Sequence, residues 1–231
     1  MSTVHTAGTV LTSLGARTVV VALTADTGPQ QVPARAAGIL SAHGLTPVGV
    51  APYFTARSWR SRDLVGRWHR LTAGGRVQSL DLDGMRRQAE NAASAQWLLW
   101  RYVVADTRPA KPFWVFLDRH AEDRCRYPLA RAQTDYTTQP RVLAMAAFNA
   151  LPGAPYRLPT SALEAFQTGA AAYATLAWLT AVPGDALVTA GGAWLTSPTG
   201  RLTDQVTYLH AANWQFNHLH PHDYLVAVQT A

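Results

Sequence analysis

The 231-residue chain is 48% hydrophobic and only 15% charged, enough apolar side chains for a full core, which excludes a disordered, collagen-like or disulfide-stapled chain. Its single cysteine, Cys125, cannot form an internal disulfide or a cysteine zinc cluster, so the composition suits a reducing compartment. Residues 1–141 carry 18 basic against 10 acidic side chains and residues 142–231 two against four, so a polyanionic partner is expected to meet the first part.

The first 15 residues have no basic start followed by an apolar core, and each apolar run is shorter or more polar than a bilayer crossing needs. A cytoplasmic protein without membrane association is therefore expected. Residues 18–24 (TVVVALT) form a β-branched run bounded by turn-prone residues 25–29, the pattern of a buried strand. A helix follows, with Pro33 in its first turn, Ile39 and Leu40 on an apolar face and Gly44 as its stop. Residues 46–54 (TPVGVAPYF) return to strand composition, at an edge because of Pro47 and Pro52.

Gly74 and Gly75 sit between two extended stretches, 67–73 and 76–82, and are expected to make a two-residue hairpin turn. From 84 to about 105, Met85, Ala89, Ala92, Leu99 and Val103 line one side of a long helix. Trp97 falls in its polar stripe and is expected to be covered by other parts of the protein. After Pro109 and Pro112, residues 113–117 (FWVFL) read as a further buried strand.

The resulting order β, α, β, β, α, β predicts an α+β protein whose first domain, residues 1–125, is ferredoxin-like, a split βαβ. Residues 126–231 are expected to form a mostly helical α/β portion packed on it, either as a second domain or as part of the same one. Its elements are an apolar helix at 142–150 and a helix from Ser161 to about 179, opened by a Ser161–Glu164 capping box. A strand at 186–189, a helix at 203–217 and a strand at 224–228 complete it.

The densest basic cluster lies at 53–76. It contains Arg57, Trp59, Arg60, Arg62, Arg67, Trp68, Arg70 and Arg76, with Asp63 as its only acid. Guanidinium groups beside aromatic planes supply charge for phosphates and flat surfaces for unpaired bases. The same residue types also suit a face that packs on a protein partner, or a core with arginine stems laid over it. The two central strands of the expected sheet carry no aromatic residues, so any nucleic acid is expected at this segment and not on the sheet face.

Two further groups have metal-binding composition. Asp81 and Asp83 flank Leu82 at an expected strand end, where alternation would put both carboxylates on one face, suited to Mg²⁺ or Mn²⁺. Residues 79–84 (SLDLDG) resemble the metal-binding strand of archaeo-eukaryotic primases and primase-polymerases, which implies metal-dependent nucleotidyl transfer. Those enzymes carry a Ser-x-His-type segment on a following strand, and the corresponding 111–120 (KPFWVFLDRH) lacks it. His218, His220 and His222 alternate, as imidazole ligands of Zn²⁺ or Mn²⁺ would on an extended strand. His218-Leu219-His220 also resembles the His-hydrophobic-His motif of rolling-circle nucleases.

Phosphate-loop, dinucleotide-binding, zinc-protease and serine-hydrolase signatures are absent from the sequence. The expected function is a nucleic-acid-binding subunit of a larger assembly, favouring single strands or RNA and contacting other protein subunits. The alternatives are a metal-dependent nucleotidyl-transfer or nuclease enzyme and a structural protein of a viral or mobile-element particle.

Overall fold

A computed structural model of the chain describes residues 17–58 and 60–231. In chain order its elements are β1 (Arg17–Leu23), α1 (Val32–Ala42), β2 (Pro47–Val50), β3 (Phe54–Thr55), β4 (Val65–Trp68), β5 (Leu71–Arg76) and α2 (Leu82–Val103). There follow α3 (Phe113–Glu122), α4 (Leu129–Thr137), α5 (Pro140–Asn149), α6 (Leu163–Gln167), α7 (Ala170–Thr180), β6 (Ala186–Val188), β7 (Trp194–Thr196), α8 (Leu202–Asn217) and β8 (Tyr224–Thr230). The architecture is mixed α+β, in two compact units interleaved along the chain. The contacts therefore do not divide at residue 125. A strand-rich unit takes residues up to 88 together with 178–199 and 203–231, and a helical unit takes 89–177 and 200–202.

In the strand-rich unit, β1 sits between β8, its antiparallel partner along all seven residues, and β6, which runs parallel to it. Both flanks are paired, and Val19 to Leu23 are all buried, so the run reads as continuously apolar and not as alternating. One face packs on α1, whose Val32, Ala36 and Leu40 recur at four-residue spacing and join Val19, Val21, Tyr224, Val226 and Val228 in one core. β8 also pairs antiparallel with β2. It therefore lies between β1 and β2, the two strands that α1 connects.

The hairpin turn is not at Gly74-Gly75. Trp68 pairs with Leu71, so the two-residue turn is His69-Arg70, with His69 in the left-handed region (φ 52°). The two glycines lie inside β5, opposite Val226 and Leu225 of β8. A Cβ at Gly74 would stand 2.2 Å from the Leu225 carbonyl oxygen, so the absent side chain is what lets the two backbones pair.

The helical unit is built around aromatic packing. The Trp100 and Phe166 rings stack at 5.2 Å and Phe166 and Tyr173 at 4.3 Å, inside a core that also holds Phe116, Tyr136, Met145, Leu158 and Leu163. Trp97 packs against this core and donates its indole N–H to the Phe166 carbonyl at 2.9 Å, the covering its position asked for. The expected strand at 113–117 is instead the start of α3. Pro112 is its N-cap residue, Phe113 and Phe116 face the core one turn apart, and a short apolar run has the same composition in a buried helix as in a strand.

The expected helix from Ser161 is interrupted at Thr168-Gly169 into α6 and α7. The capping box does not form, because residues 160–162 make a 3₁₀ turn and α6 begins after Ala162 without a side-chain cap. Glu164 accepts the Trp114 indole N–H at 2.9 Å. No helix among the described residues is long and apolar enough to cross a membrane.

Candidate nucleic-acid interface

The basic segment is held by its own backbone. β2 and β5 follow one another along the same edge of β8, Val50 standing opposite Val228 and Gly74 opposite Val226. Between them the chain leaves the edge at Pro52 and passes through β3 and a loop. It returns as the β4–β5 hairpin, so the described residues of 53–76 lie on strands or on loops between paired strands.

The six arginines of this segment divide into two kinds. Arg76 is bound into the structure: it pairs with Asp63 at 3.2 Å, donates to the His222 carbonyl at 3.1 Å and lies 5.1 Å over the Tyr224 ring. Arg57 directs its Nε to the Leu80 carbonyl at 2.9 Å. Arg67 donates one amino group to the Ser61 carbonyl, which ties the hairpin to the preceding loop. By contrast Arg60, Arg62 and Arg70 are exposed, and their side chains form no hydrogen bond or ion pair among the described residues. Asp63, the one acid in the segment, is paired with Arg76, so no free acid within the segment opposes the exposed charge. Trp59 lies outside the described residues.

Trp68 is 63% exposed at the end of β4, with the His69 ring edge-on at 5.8 Å. Beside it is a groove of about 340 Å³ lined by Val50, Pro52, Gly66, Arg67, Trp68 and Ala73. Its floor is low because Gly66 has no side chain and takes a left-handed conformation (φ 58°), where a Cβ would meet Ala73 Cβ at 3.0 Å and Val50 Cγ2 at 3.4 Å. Val48, where the β2 register shifts, is also exposed (66%). The sequence reading found Trp68 and missed this groove, whose other apolar residues sit in a stretch that reads as an ordinary edge strand. Two valines at alternate positions between Pro47 and Pro52 were the available signal.

The carboxylate pair expected on one strand face does not form. Residues 77–79 are a 3₁₀ turn and α2 starts at Leu82, so the alternation on which the pairing rested is absent. Asp81 Oδ1 accepts the Gly84 N–H at 3.1 Å, as a helix cap does. Asp83 pairs at 3.3 Å with Arg86, a buried guanidinium that also donates to Asn213 Oδ1 at 2.9 Å and lies over Trp178. Burial pulls the Arg86 pKa below its ordinary value, and the Asp83 charge opposes that fall. Residues 111–120 lie mostly in α3, so the segment that the primase resemblance requires as a strand is a helix. Asp118 is engaged by Arg201 at 2.9 Å and His120 by the Tyr127 carbonyl at 2.8 Å.

All three histidines lie beyond the end of α8, in the turn before β8 and not on an extended strand. His218 bonds the Trp214 carbonyl at 2.7 Å and packs on the Trp214 ring at 4.0 Å. His220 and His222 lie together, ring centroids 5.2 Å apart, in the turn before β8. The His222 N–H donates to His220 Nδ1 at 3.3 Å, and Gln78 Nε2 meets His222 Nδ1 at 3.3 Å. Both Nδ1 atoms are thus occupied by protein groups. Among the described residues, no group of three or more His, Cys, Asp or Glu side chains is arranged to hold a metal ion.

No family model matches the chain, and neither the curated proteins nor the solved structures contain a match to it.

Proposed function

We propose that this protein is a nucleic-acid-binding subunit of a larger assembly, which takes single-stranded nucleic acid, RNA in the first place, on the 53–76 face. The observation that carries this reading is the conjunction of three exposed arginines that have no partner among the described residues (Arg60, Arg62 and Arg70) with an exposed tryptophan, Trp68, on one short stretch of chain. Arginines without protein partners retain all their donors for phosphates, and an exposed indole offers any base a face to stack on. Arg67 adds its remaining donors beside Trp68, while Arg57 and Arg76 hold the segment in shape.

The strand-rich unit is read as a rearranged ferredoxin-like sheet. What supports this is β1–α1–β2 with one antiparallel strand between its two parallel strands, the defining feature of a split βαβ, here with β8 in the middle position. Contact with other subunits is supported by large apolar side chains left exposed outside the 53–76 segment: Leu98, Tyr102 and Leu143 in the helical unit, and Trp214 in the strand-rich unit. A cytoplasmic location fits a ligand of this kind.

The test is fluorescence anisotropy of labelled single-stranded RNA and DNA against the purified, nucleic-acid-free protein over a range of salt. Salt-sensitive binding that weakens in Arg60→Ala/Arg62→Ala is the expected result. Absence of binding at low salt, with the variant altering oligomer size instead, would assign the face to a protein partner.

A further inference from the structure

We infer that the groove beside Trp68 is a subsite for a single unpaired nucleotide: the base enters between Trp68 and the Val50–Pro52 wall, and its phosphate lies on Arg67 and Arg70. The inference rests on the nucleic-acid reading above and adds where, and how many, bases are taken.

Four observations define the occupant. The first is size. About 340 Å³ lies at the lower end of the range for small-molecule pockets, roughly 300–1,000 Å³, which is room for one nucleotide and not for a stack of bases. The second is surface chemistry: Val50, Pro52, Ala73 and Trp68 are apolar while Arg67 lines the same groove. The groove is therefore a slot for a flat, weakly polar group with an anion attached.

The third is charge. Arg70 lies in the turn next to Trp68, and the only acid of the segment, Asp63, is already paired with Arg76, so an acidic group meets no repulsion from within the segment. The fourth is the floor. Gly66 holds a left-handed conformation in which a side chain would collide with Ala73 and crowd Val50, so the local backbone keeps the slot open. Leaving Trp68 and Val50 exposed beside one groove costs hydrophobic free energy, which a stacked base would recover.

The experiment compares a short oligouridylate with the same oligonucleotide carrying one abasic nucleotide, against the full chain and two groove variants. Trp68→Ala removes the stacking face, and Val50→Phe fills the slot from an exposed strand position without touching an arginine. Each variant is first checked by its melting temperature. Base stacking on an aromatic ring is worth about 1–3 kcal/mol, so each variant is expected to weaken binding by about 5- to 150-fold. The slope of affinity against salt should stay as in the parent, because no phosphate contact is lost. The abasic nucleotide should weaken the parent but not Val50→Phe.

Parent-like affinity in both groove variants, with the Arg60→Ala/Arg62→Ala slope still reduced, would overturn the subsite and leave the nucleic-acid reading standing. No salt-dependent binding by the parent would remove that reading and the subsite together. Saturation-transfer NMR with uridine monophosphate should show transfer to the base protons, lost in Val50→Phe. Equal transfer in the filled variant would also overturn the subsite.

Discussion

Replacing Arg60 and Arg62 by alanine should lower the salt dependence of nucleic-acid binding by an amount that the structure fixes in advance. Composition alone offers six arginines to phosphates. The structure withdraws Arg57, whose Nε is given to the Leu80 carbonyl, and Arg76, which is shared between Asp63 and the His222 carbonyl. Four remain: Arg60, Arg62 and Arg70, and Arg67, which gives one amino group to the Ser61 carbonyl but lines the groove beside Trp68 with the rest of its side chain. For single strands the logarithm of the affinity falls by about 0.7 per neutralised phosphate for each decade of salt. Four contacts then correspond to a slope of about −2.8, against about −4.2 for six, and the double variant should fall to about −1.4. A tenfold rise in salt would weaken the parent by about 600-fold and the variant by about 25-fold. Anisotropy titrations of one labelled oligonucleotide across a salt series give both slopes directly. A double variant with the parent slope would refute the assignment of the surface. A parent slope near −4.2 would show instead that Arg57 and Arg76 leave their protein partners to meet phosphates.

Three further outcomes follow from the packing. Asp81→Ala should lose the α2 cap and about 1 kcal/mol of stability, while Asp81→Asn keeps most of it because asparagine caps as well; equal losses in urea unfolding would show that capping is not what Asp81 does. Gly74→Ala drives a methyl into the β8 backbone, 2.2 Å from the Leu225 oxygen and 2.8 Å from Val226 Cα, and overpacking of this kind costs about 1–3 kcal/mol. A melting temperature equal to the parent's would contradict the close pairing. Burial pushes the Tyr53, Tyr173 and Tyr208 hydroxyls above their ordinary value of 10.0. The unfolded chain therefore releases these protons first, so the stability they carry is complete below pH 10 and is lost as pH rises above it. The loss is up to about 1.4 kcal/mol per pH unit for each tyrosine. Urea midpoints that stay flat above pH 10 would contradict this.

Legibility varied with the kind of signal. The run at 18–24 could be read as a buried strand and 84–105 as a helix, because each pattern is long enough to have only one geometric solution. The side of α2 that is buried, however, carries Leu82, Arg86, Ala93, Gln96 and Trp100, while the expected Met85, Ala89, Ala92, Leu99 and Val103 are only half-buried. The five residues FWVFL are too few, and α3 rather than a strand resulted because Phe113 and Phe116 meet the helical core on the same side. Gly74-Gly75 was legible as a backbone requirement but not as its cause. The same absence of a side chain that permits a turn also permits close pairing, and β8, some 150 residues away in sequence, decides between them. Asp81 and Asp83 failed as a pair for a related reason: their common face depended on a strand that ends earlier.

Composition and local pattern by themselves determined that the chain has a full core, that its positive charge lies in the first 141 residues, and that arginine and tryptophan concentrate at 53–76. These are properties of residue type and spacing, which no folding can alter. Only the tertiary structure decided which arginines remain available, because availability depends on whether an acid or a carbonyl from another element has reached the guanidinium first. It also decided that a groove exists beside Trp68, since β2 and β5 become neighbours only through their shared edge of β8. Chemical character is carried by single residues, whereas a site is a set of distances, and distances between segments remote in the chain exist only once the sheet has paired.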